Sequence, residues 1–209
     1  MRIQKFHVSH SLACHLMAAL GASIVSSDAC AQALRTWGPI GGINADQLVN
    51  VVEVSSAGYH ILARYSDGTV GSWGDNSSGQ CDVPENLGHA QSIAGGGSHS
   101  IAARIDGTVV CWGDNSFGQC DVLGGLGPVS VVAAGRQHSI ALLANGTVRC
   151  WGAGQVVGSG NGQSIVPPGL NGVAAIAGGA FHTLALRVDG SLWRKSAEIY
   201  CGSRNGSCT

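Results

Sequence analysis

Four histidines recur along the chain at nearly constant spacing, and their chemistry has to be considered first. They are separated by 39, 39 and 44 residues and comprise His60, His99, His138 and His182. A ring of imidazoles could hold a metal ion or act as a general base. A residue that serves every repeat alike is better explained as a buried hydrogen-bonding element, so we expect a structural role.

Three hydroxyl residues directly follow these histidines, namely Ser100, Ser139 and Thr183. A nucleophile needs a base within hydrogen-bonding reach, but neighbours on an extended strand point to opposite faces. Asp75 and Asp114 lie in Gly-Asp-Asn-Ser segments whose spacing does not match a calcium-binding loop, and we interpret them as turn residues. We therefore predict no catalytic residue, no metal site and no cofactor.

The cysteines of the repeats fall at two repeated positions. Cys111 and Cys150 precede Trp-Gly pairs, whereas Cys81 and Cys120 follow Gly-Gln pairs. The first repeat has Ser72 at the Trp-Gly position, and the third repeat has no Gly-Gln cysteine. The intervals from Cys81 to Cys111 and from Cys120 to Cys150 are both 30 residues. We predict disulfides across these two intervals, and Cys201 could pair with Cys208.

Hairpin signals in constant register show which elements carry these residues. An Asp-Gly or Asn-Gly pair lies seven residues after each histidine, and such pairs favour a type I′ turn between antiparallel strands. Indole side chains recur in the same register at Trp73, Trp112 and Trp151, and we expect them to serve blade packing and not the stacking of bases. The flanking strands are almost continuously apolar, so both of their faces should be covered. A period near 40 residues and these strands predict an all-β fold of β-propeller blades.

The repeats divide the chain. We place full repeats at 51–88, 89–127 and 128–171, and an incomplete one at 172–193. Residues 34–50, which contain an isolated Trp37-Gly38 pair, form a partial strand or linker, and 194–209 are a divergent or truncated tail. About four repeats predict an incomplete or open propeller.

The first 33 residues are typical of a secretory signal peptide. A short basic start precedes an apolar run from about Leu12 to Val25 and then small residues. Cleavage near residue 31 or near residue 33 fits equally, and the apolar run is too short for a membrane span. We therefore predict an exported protein that is secreted or periplasmic.

Charge excludes two classes of partner. The formal net charge is -1, and charged residues make up only 11% of the chain. Nucleic-acid binding rests on basic residues that neutralise phosphates, and docking to anionic lipid also needs a basic cluster. We expect neither nucleic acid nor a membrane as a partner.

The repeated motif resembles that of a known family. The stretch GSHSIAARIDGTVVCWGDNSFGQ, which begins at Gly97, is similar to the repeat of the regulator of chromosome condensation family, and the resemblance covers about Val51 to Trp193. It implies propeller blades, in rings that typically have seven, and binding roles such as nucleotide exchange, scaffolding or enzyme inhibition. By this resemblance the chain is an exported bacterial-type member.

The resulting interpretation is a non-catalytic module for binding or scaffolding an unknown protein. The candidate contact is the loop from Gly152 to Pro168 with Gln155, Val156 and Val157, because it interrupts the 39-residue period. Self-association could complete the propeller. Two alternatives stay open, namely a secreted enzyme with an unrecognised site in the channel and a degenerate fragment without independent function.

Overall fold

A computed structural model describes residues 49–154 and 162–196, and this part of the chain is built from strands and turns. Twelve strands form four three-stranded antiparallel sheets, each from three consecutive strands. Blade 1 consists of β1 (Val51–Ala57), β2 (His60–Tyr65) and β3 (Val70–Gly74). Blade 2 consists of β4 (Ala90–Gly95), β5 (His99–Arg104) and β6 (Val109–Gly113). Blade 3 consists of β7 (Val129–Ala134), β8 (His138–Leu143) and β9 (Val148–Gly152), and blade 4 of β10 (Val173–Gly178), β11 (His182–Arg187) and β12 (Leu192–Ser196).

The hairpin between the second and third strands differs from the predicted turn. In blade 1, Gly68 has φ of +85°, whereas Asp67 is not among the residues with positive φ. The Gly68 amide donates to the Tyr65 carbonyl at 2.9 Å, and the Tyr65 amide donates to the Thr69 carbonyl at 2.9 Å. This is a turn followed by a left-handed glycine that forms a bulge, so the predicted type I′ geometry is wrong. The Asp67 carboxylate accepts from the Thr69 amide at 2.9 Å and stabilises this longer turn.

Apolar side chains join each blade to the next. The third residue of the second strand packs with a first-strand residue of the following blade, pairing Leu62 with Ile93, Ile101 with Val132, and Ile140 with Ile176. All six are buried, and burial of one such side chain contributes about 1.5–3 kcal/mol. The continuous apolar pattern thus reflects strands covered on both faces, and every residue of β8 is buried.

Backbone hydrogen bonds repeat at the same joints. The carbonyl of the hairpin glycine accepts from the first residue of the next blade, at 2.8 Å from Ala90 to Gly68, 3.0 Å from Val129 to Gly107 and 3.0 Å from Val173 to Gly146. The first strands of successive blades lie beside one another. The four blades form an arc that does not close, so the prediction of an open propeller of about four repeats is confirmed.

Several sequence predictions fall outside the described residues. These are the signal peptide at 1–33, most of the linker at 34–50, the loop residues Gln155, Val156 and Val157, and the tail beyond residue 196. Between residues 49 and 154 and between 162 and 196, the structure has no helix that is long and apolar enough to span a membrane.

Candidate functional site

The repeated histidines bridge neighbouring blades. Each Nε2 lies beside the hydroxyl of the next blade, at 2.9 Å from His60 to Ser100, 3.1 Å from His99 to Ser139 and 3.0 Å from His138 to Thr183. Each hydroxyl donates its hydrogen to the backbone carbonyl of a glutamine, at 2.7–2.8 Å; these are Gln80, Gln119 and Gln163. Because that hydrogen is already used, the histidine Nε2–H must be the donor to the hydroxyl oxygen. The expected structural role is confirmed for His60, His99 and His138.

Burial keeps these imidazoles neutral. His99 and His138 have no exposed surface, and burial lowers the pKa of each to about 4, with a contribution from the neighbouring histidines. Burial also lowers the pKa of His60. The hydroxyls of Ser100 and Ser139 are likewise fully buried. These pairs have the distances of a base and a nucleophile, but no substrate can reach them, and they act as ties between blades.

The tryptophans strengthen the same ties. The Trp112 indole N–H donates to the Gln80 carbonyl at 3.0 Å, and that of Trp151 donates to the Gln119 carbonyl at 2.9 Å. Each carbonyl therefore accepts from an indole and a hydroxyl of the following blade. Trp151 is fully buried and Trp112 nearly so, as expected for packing residues.

The aspartates of the Gly-Asp-Asn-Ser loops accept hydrogen bonds from residues of the same loop. Asp75 accepts from the Ser77 hydroxyl at 3.0 Å and from the Gln80 side-chain amide at 2.9 Å, and the Ser77 interactions lower the pKa of Asp75. Asp114 accepts from the equivalent Gln119 amide at 2.9 Å. The described residues contain no group of three or more histidine, cysteine or acidic side chains that could hold a metal ion.

The structure corrects the predicted disulfide pairing. Cys111 is bonded to Cys120 within blade 2, with Cα atoms 5.1 Å apart, while Cys81 and Cys150 are free thiols. The loop after the third strand turns back on its own blade, so the two cysteine positions of one repeat meet each other. The predicted Cys81–Cys111 and Cys120–Cys150 bonds are wrong because the 30-residue interval reflects the repeat period and not a contact. Burial raises the pKa of Cys150 to about 12.

One end of the blades gathers exposed aromatic residues. We call it the turn face, formed by the turns between the first and second strands and by the loops that follow the third strands. Backbone bonds hold these two segments together, at 2.9 Å from the Asp75 amide to the Tyr59 carbonyl and 2.8 Å from the Asp114 amide to the Ser98 carbonyl. Tyr59 is 83% exposed, Phe117 50% and Phe181 42%. The turn face is therefore a rigid backbone frame carrying solvent-facing rings.

Arg136 belongs to the same face. Its guanidinium carbon lies 6.0 Å from the centroid of the Phe181 ring, at the limit for a cation–π contact. Its backbone links two neighbouring turns, because the Gly97 amide donates to the Arg136 carbonyl at 3.1 Å and the Arg136 amide donates to the Ala180 carbonyl at 3.4 Å. An exposed side chain is thus fixed at its base by the turns on both sides.

Sequence reasoning missed these exposed residues. Tyr59 and Phe181 stand immediately before a repeated histidine, where the other two repeats have Ser98 and Gln137. An aromatic residue that breaks a polar repeat position was the available signal.

The loop predicted from sequence starts on the turn face. Strand β9 ends at Gly152, and the Ala153 amide donates to the Gln137 carbonyl of the adjacent turn at 2.9 Å. The described chain continues from Gly162, and Gln163 is buried in the position of Gln80 and Gln119. Gln155, Val156 and Val157 themselves lie outside the described residues.

The joints and the open arc define a propeller-repeat protein. Three tandem segments, at 51–80, 90–119 and 129–163, match the regulator of chromosome condensation (RCC1) repeat. The chain therefore carries three tandem repeats of this type. No curated protein matches the chain significantly.

Solved structures agree with this fold. Yeast RCC1 (Prp20) bound to Kap60 superimposes with a TM-score of 0.59 at 21% identity, over 78% of this chain and 45% of that one. Prp20p from Saccharomyces cerevisiae, described with its binding properties to Gsp1p and histones, gives 0.60 at 20% identity, over 77% and 46%. Human WBSCR16 gives 0.58 at 26% identity, over 69% and 46%. The chain spans less than half the length of these structures.

Proposed function

We propose that this protein is an exported, non-catalytic module that binds another protein through the turn face. The observation that carries the proposal is the set of exposed rings of Tyr59, Phe117 and Phe181 with the Arg136 guanidinium on one rigid surface. Tyrosine and arginine are enriched among the residues that dominate the binding energy of protein interfaces, and aromatic residues are enriched in interfaces generally.

The rigidity of the frame supports this proposal. Backbone bonds of 2.8–3.4 Å tie the turns of blades 1 to 3 to the loops and the turns of blades 2 to 4 to one another, so binding would order few additional groups. An interface that is already ordered loses less conformational entropy on association. The side chains that differ between repeats are thus presented on a scaffold that the repeats hold constant.

The relatives bear on the class of partner. Yeast RCC1 (Prp20) was crystallised with Kap60, and Prp20p was studied for binding to Gsp1p and histones. These are proteins, and carrying a protein-binding role over to this chain is an argument from shared fold. The loop with Gln155, Val156 and Val157 leaves blade 3 at the turn face and belongs to the proposed contact surface.

Site-specific photocrosslinking tests the proposal. A photoreactive phenylalanine analogue replaces Tyr59 in one variant and Ile105 in another, and each full chain is illuminated in the native extracellular fraction. Ile105 is 67% exposed and lies in the hairpin turn at the opposite end of its blade, so it is a matched control. We expect one discrete protein adduct from position 59 and none from position 105.

A second measurement separates export from binding. Sequencing the N-terminus of the native protein should show cleavage near residue 31 or 33. Adducts of equal yield from positions 59 and 105 would contradict binding through the turn face, whereas an uncleaved chain that begins at Met1 would contradict export alone.

The loop is tested separately. Replacing Val156 and Val157 with serine should lower the adduct yield at position 59.

A further inference from the structure

Blade 4 has one sheet face, turned away from blade 3, that no other blade covers among the described residues. In blades 1 to 3 the equivalent face packs against the following blade. In blade 3 its apolar residues Ala133, Ile140, Leu142 and Val148 are all buried. The equivalent residues of blade 4 are Ala177, Leu184, Leu186 and Leu192. Leu186 is 41% exposed, Leu192 is 62% exposed and Ala177 is also exposed. The arc thus ends in an apolar surface of the kind that forms its internal joints.

Blade 1 has the complementary face at the other end of the arc. Its residues Val51, Val54 and Trp73 correspond to Val129, Val132 and Trp151 of blade 3, which pack against the preceding blade. Those three of blade 3 are almost completely buried, whereas the three of blade 1 keep part of their surface exposed. Trp73 has no preceding blade among the described residues to accept its indole N–H.

We infer that blade 4 of one copy packs against blade 1 of a second copy, so that two arcs join head to tail at two identical joints. The contact continues an interface that the chain already forms three times internally. The Val51 amide would then donate to the Gly190 carbonyl of the second copy, repeating the bonds from Ala90 to Gly68 and from Val129 to Gly107. A two-fold pair of this kind is closed and does not extend into a fibre.

The length of similar structures of this fold supports a second copy as the occupant of both exposed faces. The yeast and human structures of this fold are about twice as long as the part of them that this chain matches, at 45–46% coverage. A second copy supplies a complete blade at each end and a comparable total length.

One residue makes this joint different from the internal ones. The position that carries Ser100, Ser139 and Thr183 in the later blades is occupied by Ile61 in blade 1. His182 of the first copy would therefore meet an isoleucine and not a hydroxyl oxygen. Because a buried donor without an acceptor is unfavourable, the joint between copies should be weaker than those within the chain. Adding the hydroxyl should strengthen it.

Sedimentation of the full processed protein over a range of concentrations tests the inference. We expect a reversible dimer, lost on Leu186→Asp and retained on Leu123→Asp, a matched change at a loop leucine that is 38% exposed. Ile61→Ser should lower the dimer Kd by roughly 30-fold, because each of the two joints gains a hydrogen bond worth about 1 kcal/mol and 1.4 kcal/mol is a factor of ten. Ile105→Ser, at an exposed hairpin residue, should leave the Kd unchanged.

Two results would overturn it. One is a wild-type chain that remains monomeric at every soluble concentration, which would mean that another segment or protein covers these faces. The other is a Kd that Ile61→Ser and Ile105→Ser change equally. Melting curves of Ile61→Ser and Leu186→Asp distinguish loss of the dimer from loss of the fold. Neither variant alters Tyr59, Phe117 or Phe181, so this inference and the turn-face proposal fail separately.

Discussion

The joints between blades and the turn face use neighbouring residues of the same repeat. At the joints, His99 and His138 recur with a hydroxyl from the next blade, and both imidazoles are fully buried. On the turn face, the position directly before the histidine changes from Tyr59 to Ser98, Gln137 and Phe181. Residues that repeat hold the arc together, and residues that depart from the repeat are the ones offered to solvent.

The difference shows why conspicuous chemistry can mislead in a repeat protein. Histidine beside serine suggests catalysis, yet in this protein the pair is sealed and its serine donates to a backbone carbonyl. The exposed rings of Tyr59, Phe117 and Phe181 stand at positions whose residue type varies between repeats, so the repeat itself does not indicate a role for them. The two regions should therefore respond differently to substitution, with large losses in the free energy of unfolding at the joints and almost none on the turn face.

Removal of an internal bridging histidine should have the largest effect. His99→Ala deletes a fully buried ring and its bond to Ser139, so we expect a loss of about 2–4 kcal/mol. His182→Ala at the half-buried end of the series should cost less than about 1 kcal/mol. Urea unfolding of both variants measures the difference. Equal losses in the free energy of unfolding would show that the bond between blades adds no stability at His99.

Acid should weaken the joints through the same histidines. Burial lowers the pKa of His99 and His138 from 6.5 to about 4, so the unfolded chain binds protons first as the pH falls. Their stabilisation is complete above pH 6.5 and is lost between pH 6.5 and about 4, by about 3 kcal/mol for each histidine. Urea midpoints across this range measure the loss, and His99→Ala should flatten the profile. A wild-type midpoint that stays constant would contradict neutral burial.

A new cysteine should test the corrected pairing within a blade. Ser72 occupies the position of Cys111, and Cys81 that of Cys120. Ser72→Cys should therefore form a bond to Cys81 under oxidising conditions and add about 2 kcal/mol to the free energy of unfolding. Alkylation followed by peptide mapping should show that Cys81 is protected in the variant and labelled in the wild type. Continued labelling of Cys81 in the variant would refute the intrablade rule.

Change on the turn face should have the smallest effect on stability. Tyr59→Ser replaces a side chain that is 83% exposed, and exposed substitutions usually stay within about 0.5 kcal/mol. The same variant should lose the protein adduct trapped from a photoreactive group at Phe181. Ile105→Ser provides the control for both measurements. A large loss of stability in Tyr59→Ser would show that Tyr59 stabilises the fold, as His99 does, and would contradict the contrast between the two regions.

Much of the fold could be predicted because the repeated residues mark where each strand and turn begins. The histidine, the Asp-Gly turn and the Trp-Gly pair recur at fixed offsets, and each offset coincides with a strand boundary or turn in the structure. Continuous apolar strands indicated coverage on both faces, which the buried β8 bears out. The structural role of His99 and Trp112 followed from repetition alone.

What sequence could not predict depends on how chain segments return in space. The interval between Cys81 and Cys111 equals that between Cys120 and Cys150, but the loop after β6 brings Cys120 back to Cys111 of its own blade. Likewise, Ser100 binds His60 from the preceding blade and not its sequence neighbour. The exposure of Tyr59 and Phe181 depends on the stacking of the turns, which no local pattern encodes.

The glutamine carbonyls at the joints accept hydroxyl and indole hydrogens from the blade that comes after them. The Gln80 carbonyl receives Ser100 and Trp112, and the Gln119 carbonyl receives Ser139 and Trp151. A growing chain makes each acceptor well before the ribosome has added both of these donors. The hydrogen bonds that join one blade to the next can therefore form only after the next blade has been synthesised. We expect the molecule to fold in the direction of translation, with the most recently synthesised blade the least stable.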